Sequence, residues 1–229
     1  MTQTPQYLAR ALKPRRRPRG LETHAALLVG ASAAAFAACA KVGEDVFNHE
    51  SGPFDEPIRA WVLRHQNPKV RDLFLVITTA GSPAVIIPCT GLFAAWLWRQ
   101  RGLPIAGAMI MSPAAAVAIF LAVKRIYRRA RPAGGKRLHQ LTYAFPSGHS
   151  AASAAVLGST AYVLSREGMV PAGLAASLAT VGTILIGASR VYLDVHWTTD
   201  VLGGWSVGGL VTALSAFAYE RVRQNTRVG

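Results

Sequence analysis

The sequence predicts an all-α protein, a polytopic membrane helix bundle of about six transmembrane helices. Three observations predict it. Six long stretches contain no Lys, Arg, Asp or Glu, and they are mostly apolar. Hydrophobic residues make up 51% of the 229 residues and charged residues only 16%, where soluble domains carry about 25% charged. The charges that do occur are gathered between the apolar runs, so a mean hydropathy of only +0.27 conceals a sharp segregation. This composition excludes disorder for most of the chain. It also excludes a disulfide scaffold, because Cys39 and Cys89 are the only cysteines and both sit in apolar surroundings, as small packing residues.

The runs are Thr23 to Ala40, Leu73 to Trp98, Gly102 to Val123, Leu138 to Ser165, Gly168 to Ser189 and Val201 to Tyr219. A spanning helix needs about 20 such residues. The first run follows Arg15, Arg16, Arg17 and Arg19 and ends Ala38-Cys39-Ala40. It reads as a retained first helix. A secretory signal with a small-residue cleavage site is the alternative. The second run contains Gly81, Ser82, Pro83 and Pro88. Its first part is expected to lie near the interface or to re-enter the membrane, with the spanning part starting near Pro83. The fourth run begins as a loop and turns helical near His149. Between the first two runs, Asp55 to His65 reads as a short amphipathic helix, with Ile58, Trp61, Val62 and His65 at helical spacing. Such a helix rests on the interface or caps the bundle. The expected division is a basic cytoplasmic arm over 1–22, a six-helix domain over 23–219 and a cytoplasmic tail over 220–229.

Charge sets the orientation. The chain carries 25 Lys and Arg against 11 Asp and Glu, a net charge of +14. With the N-terminal arm cytoplasmic, Arg99, Arg101, Arg166, Arg221, Arg223 and Arg227 fall on the same side by helix parity. The opposite side is also cationic, against the flanking-charge rule. That excess sits in one loop with Lys124, Arg125, Arg128, Arg129, Arg131, Lys136 and Arg137. A local violation of this size points to an anionic ligand. Nucleic acid is excluded, because the basic residues are not interleaved with exposed aromatics on a soluble domain.

Three clusters carry chemistry, and parity brings all three to that same face. The first is Lys124, six residues, then Arg131-Pro132; the second is Pro146-Ser147-Gly148-His149; the third is Ser189-Arg190, with His196 and Asp200 following. Arg131 and Arg190 offer forked donors to a phosphate and Lys124 a point charge. Ser147 and Gly148 precede a helix start, where amides and the hydroxyl can face an anion. If the last helix starts near His196, Asp200 four residues on shares its face. The carboxylate then holds the imidazole in one tautomer and frees the other nitrogen as a nucleophile. His149 is placed to act as general acid. A metal site from His149, His196, Asp200 and Asp194 is the alternative, but the surrounding cations would repel a metal ion.

At these residues the sequence resembles the phosphatidic acid phosphatase type 2 superfamily, whose three-part signature appears intact and in order. The resemblance is close from Lys124 to Gly204. It implies that His196 is a nucleophile forming a phosphohistidine, that Asp200 orients it, and that His149 protonates the leaving group and later activates water. It implies a phosphate cradle of Lys124, Arg131, Ser147, Gly148 and Arg190, with no metal and no cofactor. Asp194 stands where many members have glycine, and Trp197-Thr198-Thr199 departs from the usual local sequence. Asp194 is expected to add negative charge near the phosphate site.

Arg125, Arg128 and Arg129 read as lipid-headgroup contacts, or alternatively as cations for a second phosphate or for steering. Tyr192 and Trp197 read as interfacial packing. The expected function is that of an integral-membrane lipid phosphatase of a bacterial plasma membrane, acting at the extracytoplasmic face on a lipid phosphomonoester or diphosphate. Its partners would be that phosphorylated lipid and the surrounding membrane lipids. Two alternatives remain open: a phosphotransferase using the same intermediate, and a non-enzymatic protein that binds or moves an anionic lipid.

Overall fold

In a computed structural model, residues 19–133 and 142–226 are described, and helices account for most of them. We number these α1 (Arg19–Phe47), α2 (Gly52–Arg64), α3 (Pro68–Ala80), α4 (Pro83–Arg101), α5 (Leu103–Tyr127), α6 (Gly148–Arg166), α7 (Ala172–Tyr192) and α8 (Thr198–Thr226). No strand occurs among the described residues. Residues 1–18 of the basic arm expected over 1–22, together with Lys136, Arg137 and Arg227, lie outside the described residues.

The helix boundaries follow from local chemistry. Asn67 caps α3 by accepting from the amides of Lys69 and Val70, and Pro68 supplies a first-turn residue with no amide to lose. Gly102 ends α4 at φ 87°, a conformation that favours glycine, and α5 starts directly after it. Ser147 caps α6 by accepting from the Ser150 amide. The break expected near Pro83 is present: α3 and α4 meet at Gly81-Ser82 with a bend of 42°.

The six apolar runs map onto α1, the α3–α4 pair, α5, α6, α7 and α8. Among the described residues α7 and α8 are long and apolar enough to span a bilayer alone, and the bent pair makes a third span if taken as one. α1, α5 and α6 have 29, 25 and 19 residues, and at about 1.5 Å per residue each reaches roughly 28 Å or more. Large apolar side chains face outward along the bundle, with Leu92 72%, Ile87 68% and Leu178 63% exposed. A belt of that kind is a lipid-facing surface.

α8 is the central helix, packed on α1, α5 and α6. Its approach to α6 depends on missing side chains. A Cβ at Gly204 would lie 2.6 Å from the Ser147 carbonyl oxygen, and one at Gly208 would lie 2.4 Å from the Ala154 methyl. Small residues drive helix association in lipid, where apolar burial contributes little. This contact brings the start of α6 against the start of α8. Farther along, Leu97, Ile105, Ala106, Met109, Val163 and Tyr219 form an apolar core between α4, α5, α6 and α8.

The short helix over the outer end is α2. It begins at Gly52, three residues ahead of the expected start, because Pro53 and Asp55 suit a first turn. Val62 is buried but Trp61 is 57% exposed, so the apolar stripe fixes it only in part. Its buried Asp55 makes the stronger attachment.

Candidate active site

The three clusters converge at one end of the bundle. Lys124 comes from the last turn of α5, Arg131 from the following loop, and Ser147, Gly148 and His149 from the start of α6. Arg190 lies in the last turn of α7, and His196 and Asp200 flank the start of α8. Five of these eight residues line one cavity of about 240 Å³, and Ser147, Arg190 and Asp200 lie outside its walls. Lys124, Arg131, Gly148, His149 and His196 line its polar end, and Ile86, Ile87, Val117 and Phe120 are among the apolar residues lining it.

His196 is not in a helix. α8 starts two residues later, at Thr198, so the shared helix face expected for His196 and Asp200 does not exist. A tight turn brings them together instead. The amides of Val195 and His196 both donate to the Arg190 carbonyl, and the Trp197 amide donates to Asp200 Oδ2 at 2.9 Å. His196 Nδ1 then lies 3.2 Å from the same Oδ2, and Nε2 lies 2.9 Å from Arg131 Nη1. Arg131 can only donate, so Nε2 must present a lone pair to it. The proton is therefore on Nδ1, directed at Asp200. Burial pushes the His196 imidazolium down to about 4, against the upward pull of Asp200, which keeps the ring neutral near pH 7.

Lys124 and Arg131 are seated on neutral oxygens. Lys124 donates to the Tyr143 carbonyl and lies 5.0 Å from the centre of the Phe120 ring. Arg131 donates to the carbonyls of Thr142 (2.7 Å) and Val195 (2.8 Å) and to the Thr142 hydroxyl (3.0 Å). Neither makes an ion pair with a carboxylate among the described residues. Their charge is thus directed at the cavity without local neutralisation. Arg190, 3% exposed, donates to the Thr78 hydroxyl at 2.8 Å, which ties α7 to α3 beside the cavity.

Ser147 departs from expectation. Its amide is used by the Asp200 carbonyl at 2.9 Å, so it is not directed at an anion. Its hydroxyl oxygen accepts from Ser150 Oγ at 2.9 Å. At Gly148 a Cβ would lie 2.7 Å from the Phe120 ring, so the missing side chain makes room for that ring. Asp194 also departs. Its two oxygens accept from Arg59 at 2.6 and 3.0 Å, so its charge is already compensated by α2. Its φ of 55° is a left-handed conformation, in which glycine is unstrained. No group of three or more His, Cys, Asp or Glu that would suit a metal ion occurs among the described residues.

Sequence reasoning missed two residues. Arg129 is no headgroup contact: its side chain is half-buried and bonded to Asp200 Oδ1 and to Asp55 Oδ2 at 2.7 Å each. Arg125 and Arg128, by contrast, are exposed. Trp197 does more than pack at an interface, because its amide holds Asp200 and its indole donates to the Ala130 carbonyl at 3.0 Å. Tyr192 packs on Phe74 with ring centres 4.8 Å apart, and its hydroxyl accepts from the Asn67 amide.

The chain thus sets a buried His–Asp pair against a cavity lined by cations, at one end of an apolar helix bundle. The family model described as PAP2 superfamily matches residues 101–224, and the chain belongs to that superfamily. It is 29% identical over 175 residues to phosphatidylglycerophosphatase B of Bacillus subtilis, covering 74% of this chain and 85% of the relative. Undecaprenyl-diphosphatase of Sulfolobus acidocaldarius is 35% identical over 75 residues, about a third of each chain (32% of both). The crystal structure of a transmembrane PAP2-type phosphatidylglycerolphosphate phosphatase from Bacillus subtilis superposes with a TM-score of 0.74 at 25% identity, covering 86% of this chain and 96% of that one. Aquifex aeolicus LpxE shares the fold, with a TM-score of 0.54 at 21% identity over 71% of this chain and 94% of the other.

Proposed function

We propose that this lipid phosphatase hydrolyses a phosphomonoester or diphosphate on a membrane lipid through a phosphohistidine at His196. The observation that carries the reading is the pair of His196 contacts, Nδ1 on Asp200 and Nε2 toward the cavity. Incoming phosphate draws Arg131 and Lys124 onto its oxygens, and Nε2 is released from Arg131. Nε2 attacks phosphorus, the bond from phosphorus to the leaving oxygen breaks, and His149 gives that oxygen a proton. Water then attacks the phosphohistidine, the P–N bond breaks, and His149 takes the water proton. Arg190 completes the cradle. The Ser147 hydroxyl proton and the Gly148 backbone are the remaining contacts.

The apolar walls at Ile86, Ile87, Val117 and Phe120 suit the first part of a lipid tail. Candidate substrates are phosphatidylglycerol phosphate, undecaprenyl diphosphate and phosphatidate, the first two also supported by the relatives' activities. The site would face the extracytoplasmic side of a plasma membrane, with both termini cytoplasmic and divisions at 22/23 and 219/220. Single cysteines at Lys136 and Gln224, with Cys39 and Cys89 replaced, test this with an impermeant thiol reagent. Labelling at position 136 alone is expected, and labelling at 224 alone would reverse the orientation.

Detergent-purified protein assayed for phosphate release on that lipid panel tests the activity. An acid-labile, base-stable phosphoprotein should be trapped during turnover and be missing in His196→Ala. Turnover without any such species would rule out the covalent route. Chelator should leave the rate unchanged, since the charge is supplied by side chains.

A further inference from the structure

We infer that Arg129, balanced by Asp55, is a positioning residue for the reaction: it locks the carboxylate that orients His196. The inference rests on the hydrolytic reading above and extends it to a second layer of residues. Arg129 lies only two positions before Arg131 but faces the other way. It is absent from the walls of the cavity that holds Arg131 and His196. It lines instead a second cavity of about 530 Å³, together with Ser51, Asp55 and Trp197. A cation in that place lies outside the cavity that His196 lines.

What it does reach is Asp200. Nη1 donates to Oδ1 at 2.7 Å, while Oδ2 serves His196 Nδ1 at 3.2 Å and the Trp197 amide at 2.9 Å. Held through Oδ2 alone, the carboxylate can swing about its Cβ–Cγ bond. With Oδ1 anchored, the second oxygen keeps its place under the imidazole. Positive charge develops on that ring as phosphorus is attacked, and a pre-placed carboxylate stabilises it without reorganisation.

A bare guanidinium would weaken the same carboxylate by drawing off its charge. Asp55 offsets this. Its Oδ2 accepts from Arg129 Nη2 at 2.7 Å and from the Thr199 hydroxyl at 2.6 Å, and its Oδ1 accepts from the Thr199 amide at 2.9 Å. Ser51 Oγ accepts from the same Nη2 at 2.7 Å. The two carboxylates share one guanidinium, and the Asp55 and Asp200 side chains are 1% and 0% exposed. Buried ion groups of this kind are seldom kept for stability alone, since desolvation cancels most of their attraction. Their use here is geometric, and it gives α2 a part in the chemistry. The same helix also holds Asp194, in the turn that carries His196, through Arg59.

The test uses the full purified chain and phosphate release from its best lipid substrate. R129Q is expected to lower kcat on the order of 30-fold with KM within about threefold, the pattern of a lost transition-state interaction. R129K should recover part of that loss. In a D200N background, R129Q should add less than about threefold, because its route of action is already cut. D55N keeps Arg129 and nearly the same shape, so it supplies the same measurements if R129Q does not purify as a folded protein. A raised KM with unchanged kcat would move Arg129 into the phosphate cradle and overturn the inference. Full multiplication of the R129Q and D200N losses would overturn it too. A wild-type chain releasing no phosphate defeats the hydrolytic reading, and the inference with it. An active wild type with R129Q at full kcat defeats the inference alone.

Discussion

Where α4 meets α5, Arg101 pairs with Glu167, which also accepts from Tyr219 and lies 3.8 Å from Arg223. Beside it Arg166 holds Glu220 through both nitrogens of its fork, and Tyr162 donates to the same carboxylate at 3.0 Å. At the opposite end Lys124 and Arg131 are buried or half-buried too, but they rest on carbonyl and hydroxyl oxygens. Paired with carboxylates, a cation is a strut. Bedded on neutral dipoles its charge is left without a counter-ion, at a cost in desolvation that an incoming anion relieves. Arg129 and Arg59 show that the catalytic end also contains struts, placed behind the cations that face the cavity.

Four measurements would break or sharpen this contrast. The largest effect is expected from His196→Ala, with kcat lowered by about 10⁴-fold or more and the protein still eluting as a folded species. Residual activity near wild type would remove the nucleophile from the proposal. Next is Lys124→Met, which should cut kcat/KM by roughly 10²-fold to 10³-fold, as for loss of one donor to developing charge. Its melting temperature should hold or rise, and the stabilisation by vanadate expected of the wild type should be lost. A marked drop in melting temperature would make Lys124 a strut like Arg166.

At the other end Glu220→Gln should do the reverse. It leaves Arg166 half-buried without its counter-charge and should cost about 1–3 kcal/mol of stability, with kcat/KM within about twofold. Lost activity at full stability would show coupling between the two ends. The smallest effect concerns pH. With His196 held down near 4 by burial, its neutral form persists as the medium is acidified below the ordinary 6.5. The acid limb of kcat/KM, corrected for substrate ionisation, should therefore fall near pH 4. The sign for stability is the same. Between 4 and 6.5 the unfolded chain binds a proton at this histidine that the native state does not, so stability declines as pH falls through that window. An acid limb centred at 6.5 would mean a solvated ring.

The sequence made the spans and the three clusters legible because both are local signals. Apolar runs show directly where lipid lies, and a kink at Gly81-Ser82 follows from glycine and two nearby prolines. The start of α6 was legible for the same reason, since Ser147 is a cap followed by a small-residue helix. Arg129 was not. Nothing near it distinguishes it from Arg125 or Arg128, because its role is set by Asp55, 74 residues earlier, and Asp200, 71 later. Asp194 was misread likewise, as its counter-ion Arg59 lies 135 residues away. The start of α8 was misplaced because helical spacing and a closed turn bring residues four apart equally close, and the Trp197 amide bond to Asp200 decides between them.

The contact from Asp55 to Thr199 closes a loop of 144 residues. Chains insert in order, and α8 follows the other described helices. A growing chain therefore offers Lys124 and Arg131 to anionic lipid long before His196 and Asp200 emerge. When they do, the groups that align them have been waiting on α2 and the loop after α5. On the proposed mechanism, hydrolysis would begin only once α2 and the start of α8 have met.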